Sequence, residues 1–461
     1  MSPAAIGRRH LMAAGAGGAA ALAATAMLPA VATAGGDLTA RFAYVGTYTK
    51  GAPGGTSGRS NPVGVSAFSV NPATGALTHI QTVPSVNPSF LAIHPTQRYL
   101  YVTNEINDYE GTNGSIEAYA IDGTTGMLTF LNRVSTGGAI PAQLAVDPTG
   151  RFVVIGNYIG ANYTLLPIAA DGRIMPVVDT VTNTGSGPQK DRQEAPHPHA
   201  TEFDPAGRYI ATADLGIDKI QVFRIDAGAR KLEPVSEAAV APGSGPRHVA
   251  FHPNGRYLYV INELNATIAV LPYDAATGRV SAAIQTIGTV PADFPPHKST
   301  AEIKVHPSGR FLYGSNRKFE EHPLADSIVA YRIDPGSGRL TLIGHTTQNI
   351  AFPRHFNLDP TGTYLYACNQ KGDTIVQFAI DQASGELRAT GRITETPVPV
   401  SLVWKTAAGG LPGMPSTGAG GASPDMSLGL LAAVGLGAAA LARLRRRPSR
   451  RAPDAGTPAE D

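Results

Sequence analysis

Four residues of this 461-residue chain have the types needed for proton transfer and for holding negative charge: His199, Arg247, Glu263 and Arg317. An imidazole can move a proton, guanidinium groups can hold developing negative charge, and a carboxylate can orient either. Two of them bracket one stretch, GPRHVAFHPNGRYLYVINELN from Gly245 to Asn265, whose middle is an apolar alternation around a Pro-Asn-Gly turn. Symmetry about that turn puts Arg247 opposite Asn262 with Glu263 next to it, so cation and carboxylate share one end of a hairpin. The same symmetry about Ala206-Gly207 puts His199 opposite Asp214, an imidazole whose tautomer the acid would fix. Arg317 takes the slot of Glu263 in a third hairpin, and Arg354 the slot of Arg247 in a fourth. His197 is the near alternative to His199. His197, Asp214 and Arg354 are expected at the substrate.

Other readings of these residues weaken on inspection. His94, His252 and His306 precede Pro in a slot held elsewhere by Asp147, Asp204 and Asp359, so they are turn formers. His197 and His199 have metal-like i, i+2 spacing, but the sequence offers no third ligand, and neither a metal nor a cofactor is expected. Cys368 lies in an apolar alternation and reads as buried filler; a single cysteine allows no internal disulfide. Arg247 and Glu263 could form a purely structural ion pair. Against this, the polar groups differ from hairpin to hairpin while the hairpin middles stay apolar.

Those hairpins are copies of one unit. NPSFLAIHPTQRYLYVTNE begins at Asn87, and its counterparts begin at Ile140, His197, Gly245, Ser299 and Phe352. Each continues with a third alternating run (GSIEAYAI, DKIQVFRI, DTIVQFAI), a turn such as DGTTG or DQASG, and a fourth run. Four strands per repeat means a propeller blade. Six first hairpins are complete; the seventh is split between VPVSLVW near residue 400 and RFAYVGTYT from Arg41. The expectation is an all-β, seven-bladed propeller over 40–405, its N-terminal strands closing the ring on the C-terminal strand. First strands lie nearest the axis, so the variable residues at their ends converge on one central face.

The two ends read as targeting segments. Residues 1–34 carry Arg8-Arg9, a small-residue apolar run and Ala32-Thr33-Ala34, a signal peptide similar to the twin-arginine type with Gly7 before the pair. A spacer over 406–425 contains Met414-Pro415-Ser416-Thr417-Gly418, followed by an uncharged apolar run over 426–442 and a basic tail over 443–461. This resembles a Gram-positive sorting signal, with Met414 in the place of the usual Leu, and implies signal peptidase and sortase as processing partners. A membrane anchor with its arginines held in the cytoplasm is the alternative. Either places the protein outside the cell, at its surface. Of the 37 Lys and Arg, eight lie outside 35–417, as do four of the 35 Asp and Glu, leaving a body near −2 that offers nothing to nucleic acid. A monomer is expected.

HPHATEFDP with DLGIDKI, GPRHVAFHPNGRYLYVINELN, AEIKVHPSGRFLYGSNR and FPRHFNLDP together resemble the seven-bladed lactonase family of bacterial 6-phosphogluconolactonases and fungal carboxymuconate lactonizing enzymes. The resemblance implies hydrolysis of a small-molecule lactone without a cofactor. It places the family's His, two Arg and Glu on His199, Arg247, Glu263 and Arg317, with His197 close to the histidine's place. Export points to an unphosphorylated sugar lactone or another extracellular lactone. Two alternatives stay open: a non-catalytic surface propeller for adhesion or carbohydrate binding, resembling the YVTN-repeat propellers through YVTNE at Tyr101, and a muconate-type cycloisomerase.

Overall fold

Apolar alternation over short runs, broken by Pro- and Gly-bearing turns, dictates strands rather than helices. A computed structural model describes residues 39–51, 62–291, 298–319 and 325–407, and among these every regular element is a β-strand. The strands form seven antiparallel sheets. Blades 1 to 6 run outward in sequence order from inner strands Pro88–Ile93, Pro141–Val146, Pro198–Phe203, Pro246–Phe251, Lys298–Val305 and Pro353–Leu358. In blade 4 two short outer strands, Arg279–Val280 and Gln285–Gly288, pair with the same third strand. Blade 7 is built from both ends of the ring: Pro399–Thr406 is its inner strand and pairs with Ala40–Thr47, followed by Gly64–Val70 and Leu77–Pro84. The seven-bladed ring expected from the repeat is the observed fold. The signal peptide, the Met414–Gly418 motif, the apolar run and the basic tail lie outside the described residues.

Both faces of each sheet are apolar because each blade packs on two neighbours. Seven buried clusters result, one at each interface, such as Ala211, Ile220 and Val222 of blade 3 against Val249, Leu258 and Val260 of blade 4. Recurrent polar bonds register the blades. The buried hydroxyls of Tyr44, Tyr101, Tyr259, Tyr313 and Tyr366 donate to the carbonyls of Gly126, Gly172, Gly338, Gly385 and Gly75, each in an outer turn of the adjacent blade. Gly126 has φ 75°, and a Cβ there would lie 2.3 Å from the Phe42 ring, so the DGTTG turn needs glycine at its end twice over. The turn histidines act across the same seams. His252 accepts from the Asn254 amide through Nδ1, as a turn former should, and its Nε2 lies 2.9 Å from the carbonyl of Gly309 in the next blade. His94 and His306 repeat the pattern toward Gly150 and Gly362.

Trp404, the chain's one tryptophan, sits on the closing strand. It is 6 % exposed, its indole Nε1 donates to the Leu358 carbonyl, and its ring meets Tyr366 edge-on at 4.7 Å. Closure is therefore held by the Pro399–Thr406 to Ala40–Thr47 ladder and by side chains of the neighbouring blade.

Candidate functional site

The inner strands position the site through a shared irregularity. In every blade the register slips by one residue near the start of the inner strand, as between Pro246↔Asn262 and His248↔Ile261 in blade 4 and between Thr300↔Asn316 and Ile303↔Gly314 in blade 5. The slip marks a β-bulge, which places one extra residue on the inner strand and turns two consecutive side chains toward the same face. Its positions are Ser89, Ala142, His199, Arg247, Ala301–Glu302, Arg354 and Val400. The expected pairings are corrected accordingly: Pro246, not Arg247, faces Asn262, and Pro198, not His199, faces Asp214. Symmetry about the turn failed by one residue because it counts no bulge.

A second ring of side chains comes from the residue that follows the Asn or Asp recurring at the end of the second strand in blades 1 to 6, namely Glu105, Tyr158, Leu215, Glu263, Arg317 and Gln370, with Tyr48 after Thr47 in blade 7. Glu105, Tyr158, His199, Glu263, Arg317 and Arg354 line a cavity of about 330 Å³ at this end of the axis, together with Arg192. Its centre is Glu263, 6 % exposed. Oε1 accepts from Arg192 Nη2 at 2.7 Å, while Oε2 lies 2.9 Å from Arg247 Nε and 3.4 Å from Arg317 Nη2. The Arg247 contact is an ion pair too oblique to be a hydrogen bond. Burial would raise the Glu263 carboxyl, but Arg317, Arg192 and Arg247 outweigh it and hold the group well below the usual carboxylate range. Arg317 donates to Ser299 Oγ and the Thr300 carbonyl, and burial pulls its guanidinium down to about 9, still charged at neutral pH. Arg354 lies 3.6 Å from Glu105 Oε1 and over the ring of Tyr48, whose hydroxyl donates to Glu105 Oε2 at 2.6 Å.

His199 and His197 part company here. His199 lines the cavity, is 5 % exposed, and its Nδ1 is buried without a hydrogen-bond partner. Burial, then the positive charge of Arg247, pushes the imidazole well below 6.5, so it is neutral. His197 stacks flat on Tyr158 at 4.3 Å, with Nδ1 3.1 Å from the Tyr158 carbonyl and Nε2 3.1 Å from Glu194. Asp214 fixes no imidazole tautomer. Its Oδ1 accepts from the backbone amides of His197 and Gly216 and its Oδ2 from Asn183. The acid holds the chain that presents the histidines, because the bulge has carried His199 out of its reach. Among the described residues no group of three His, Cys, Asp or Glu side chains is arranged to hold a metal ion.

Three members of the site were missed by sequence reasoning. Glu105 and Tyr158 occupy the slot of Glu263 and Arg317, so aligning all the repeats on that slot would have found them. Arg192 lies in the 183–197 connection of blade 2 to blade 3, which has no counterpart in the other repeats, and nothing in the sequence marks it. Gln193 beside it is fully buried and donates to the Leu215 carbonyl, so the connection is tied down next to the rim.

The sequence and its ring of blades match known proteins. The family described as "Lactonase, 7-bladed beta-propeller" matches residues 42–404. A 6-phosphogluconolactonase of Bacillus subtilis is 33% identical over 366 residues, covering 79% of this chain and 98% of that protein. The crystal structure of a putative 6-phosphogluconolactonase from Bacteroides fragilis is 31% identical with a TM-score of 0.70, covering 79% of this chain and 98% of the other. A periplasmic gluconolactonase of Pseudomonas aeruginosa is 28% identical, also with a TM-score of 0.70, covering 80% and 99%.

Proposed function

The chain belongs to the seven-bladed β-propeller lactonases and is a lactone hydrolase, and we propose that it opens the lactone of an acidic sugar at the mouth built by His199, Glu263, Arg317, Arg354 and Arg192. The observation that carries this reading is the charge balance. Four guanidinium groups (Arg192, Arg247, Arg317, Arg354) surround two carboxylates, Glu105 and Glu263, leaving an excess of two positive charges in a largely buried space. Such an excess favours a substrate that carries a carboxylate or phosphate and an intermediate that carries an oxyanion.

In this reading His199 takes a proton from water as the oxygen attacks the lactone carbonyl. Glu263 is a weak candidate for that step, since its three arginine contacts engage both of its oxygens. Glu263 instead offsets the positive charge that forms on the imidazole. Arg317, backed by Arg247, faces the developing oxyanion. When the tetrahedral intermediate collapses, the ring oxygen leaves and recovers the proton from His199, so one water has been added and a hydroxy acid released. Arg354 and Arg192 receive the acidic substituent.

A neutral sugar lactone is the second reading, favoured by the structural neighbour named a gluconolactonase. We place the reaction outside the cell on the strength of Arg8-Arg9, the following apolar run, Ala32-Thr33-Ala34 and the Met414–Gly418 motif. The test is a pH-stat assay over gluconolactone, its 6-phosphate and a carboxylate-bearing aldaric lactone, with His199→Ala and Arg317→Ala as controls. Loss of one oxyanion partner is expected to cost about 10²- to 10³-fold in kcat. Full activity in both variants overturns the site, and a preference for the neutral lactone overturns the acidic substrate.

A further inference from the structure

Beneath the mouth the axis is filled by a second layer of side chains that the proposed mechanism does not use. It comes from the residue after each bulge and includes Phe90, Gln143, His248, His355 and Ser401, with Glu302 in blade 5. Glu302 is 1 % exposed and sits between two imidazoles and an ammonium group: His248 Nδ1 lies 3.2 Å from its Oε1, His355 Nε2 3.2 Å from its Oε2, and Lys304 Nζ 3.4 Å from its Oε1. Its Oε1 also accepts from the Ile303 amide. Phe90 meets both imidazoles edge-on at 5.8 Å, so neither ring can swing freely. Below this layer a separate cavity of about 320 Å³ opens at the other mouth, lined by Phe90, His355, Lys304 and Glu202.

The layer meets the site through His248, whose ring lies edge-on to that of His199 at 5.2 Å and also faces Arg247. Arg247 Nη1 lies 3.1 Å from His248 Nε2 and donates to the Ala301 carbonyl at 2.7 Å. A guanidinium has only donors, so the facing Nε2 must carry a lone pair, and the ring proton must then sit on Nδ1, the nitrogen that faces Glu302. Glu302 Oε1 and His248 Nδ1 are close but obliquely aligned, a separation that a small ring rotation converts to a full hydrogen bond.

Resting on the reading of the site above, we propose that Glu302 is a positioning residue for lactone opening: it fixes His248 as the Nδ1–H tautomer, and His248 in turn holds Arg247 against Glu263. Without it the imidazole can present Nε2–H to Arg247, two donors face each other, and the guanidinium is driven from its place. The distance from Glu302 to the mouth is bridged by named contacts only, and no bond to substrate is involved.

Glu302→Gln tests this in the full-length protein, with folding followed by circular dichroism and melting. A misplaced catalytic group costs up to about 10²-fold, and the loss is expected in kcat rather than KM. The discriminating readout is a double-mutant cycle with Arg247→Lys. If Glu302 works through Arg247, adding Glu302→Gln to Arg247→Lys costs nothing further; losses that multiply mark a merely structural role and overturn the proposal. Wild-type activity in folded Glu302→Gln also overturns it. Wild-type activity in Arg247→Lys sinks the reading of the site instead. Should Glu302→Gln not fold, the ¹⁵N shifts of His248 in the unaltered protein decide: a protonated Nδ1 with a bare Nε2 supports the proposal, and the opposite tautomer refutes it.

Discussion

Arg192 Nη2 lies 2.7 Å from Glu263 Oε1, across 71 positions of sequence and from a connection outside the repeat. The pair brings an irregular segment to the regular ring at the one carboxylate that two further arginines already share. Because Arg192 is 42 % exposed, its charge is accessible to a ligand and screened by salt. Arg192→Ala should raise KM for a carboxylate- or phosphate-bearing lactone about tenfold, as loss of one charge-assisted hydrogen bond would, and leave kcat and the KM of a neutral lactone alone. Initial rates at low and high salt check this, since the difference should shrink as salt rises.

Removing Glu263 has the opposite sign of effect on anion binding. Glu263→Gln leaves Arg192, Arg247 and Arg317 without their shared carboxylate, and breaking a buried pair by deleting one partner costs about 3–5 kcal/mol. Inorganic phosphate should restore part of this. Melting curves with and without phosphate are expected to show a larger gain for the variant than for the unaltered protein.

Acid should unfold the propeller in two stages. His199 and His248 are pushed well below 6.5, chiefly by burial and then by Arg247, and burial takes His355 down to about 3. The unfolded chain therefore binds protons that the folded one refuses, and stability falls as pH drops below about 6.5, by about 1.4 kcal/mol per pH unit for each histidine. Glu263 adds a second loss. Its depressed carboxyl contributes fully above about pH 4.3, the unfolded value, and that contribution disappears as pH falls toward its folded value. Denaturant midpoints measured from pH 7 down to about pH 2 check both slopes.

Asp214 is a support for backbone, and its removal should separate stability from chemistry. Asp214→Ala leaves the amides of His197 and Gly216 without their acceptor, at about 1–3 kcal/mol for a buried unsatisfied group. The melting temperature should drop while the shape of the pH–rate profile stays as it was. A changed profile would return Asp214 to the proton-transfer machinery.

The ring itself was legible because its cause is periodic. A strand buried on both faces and a tight turn recur in every copy, so the repeat could be counted and its split seventh member located at Val398–Trp404 and Arg41–Thr49. The site was legible only in residue type. His199, Arg247, Glu263, Arg317 and Arg354 do meet at one mouth, yet their pairings were off by one, since a bulge adds a residue without leaving a mark in composition. Arg192 was invisible because no repeat frames it. Glu302 was passed over because its strand begins Ser-Thr-Ala rather than with the Pro-Arg-His of blades 4 and 6.

The placement of the one tryptophan turns ring closure into something that can be watched. Trp404 lies on the strand that seals blade 7, with its indole shielded and bonded to the carbonyl of Leu358 in the adjacent blade. Its emission is therefore a local signal from the seam rather than an average over the molecule. A shift to longer wavelength ahead of the loss of strand circular dichroism would time the moment when the circle becomes a chain of blades, and coincident changes would mean that the seam is no weaker than the seven interfaces between blades.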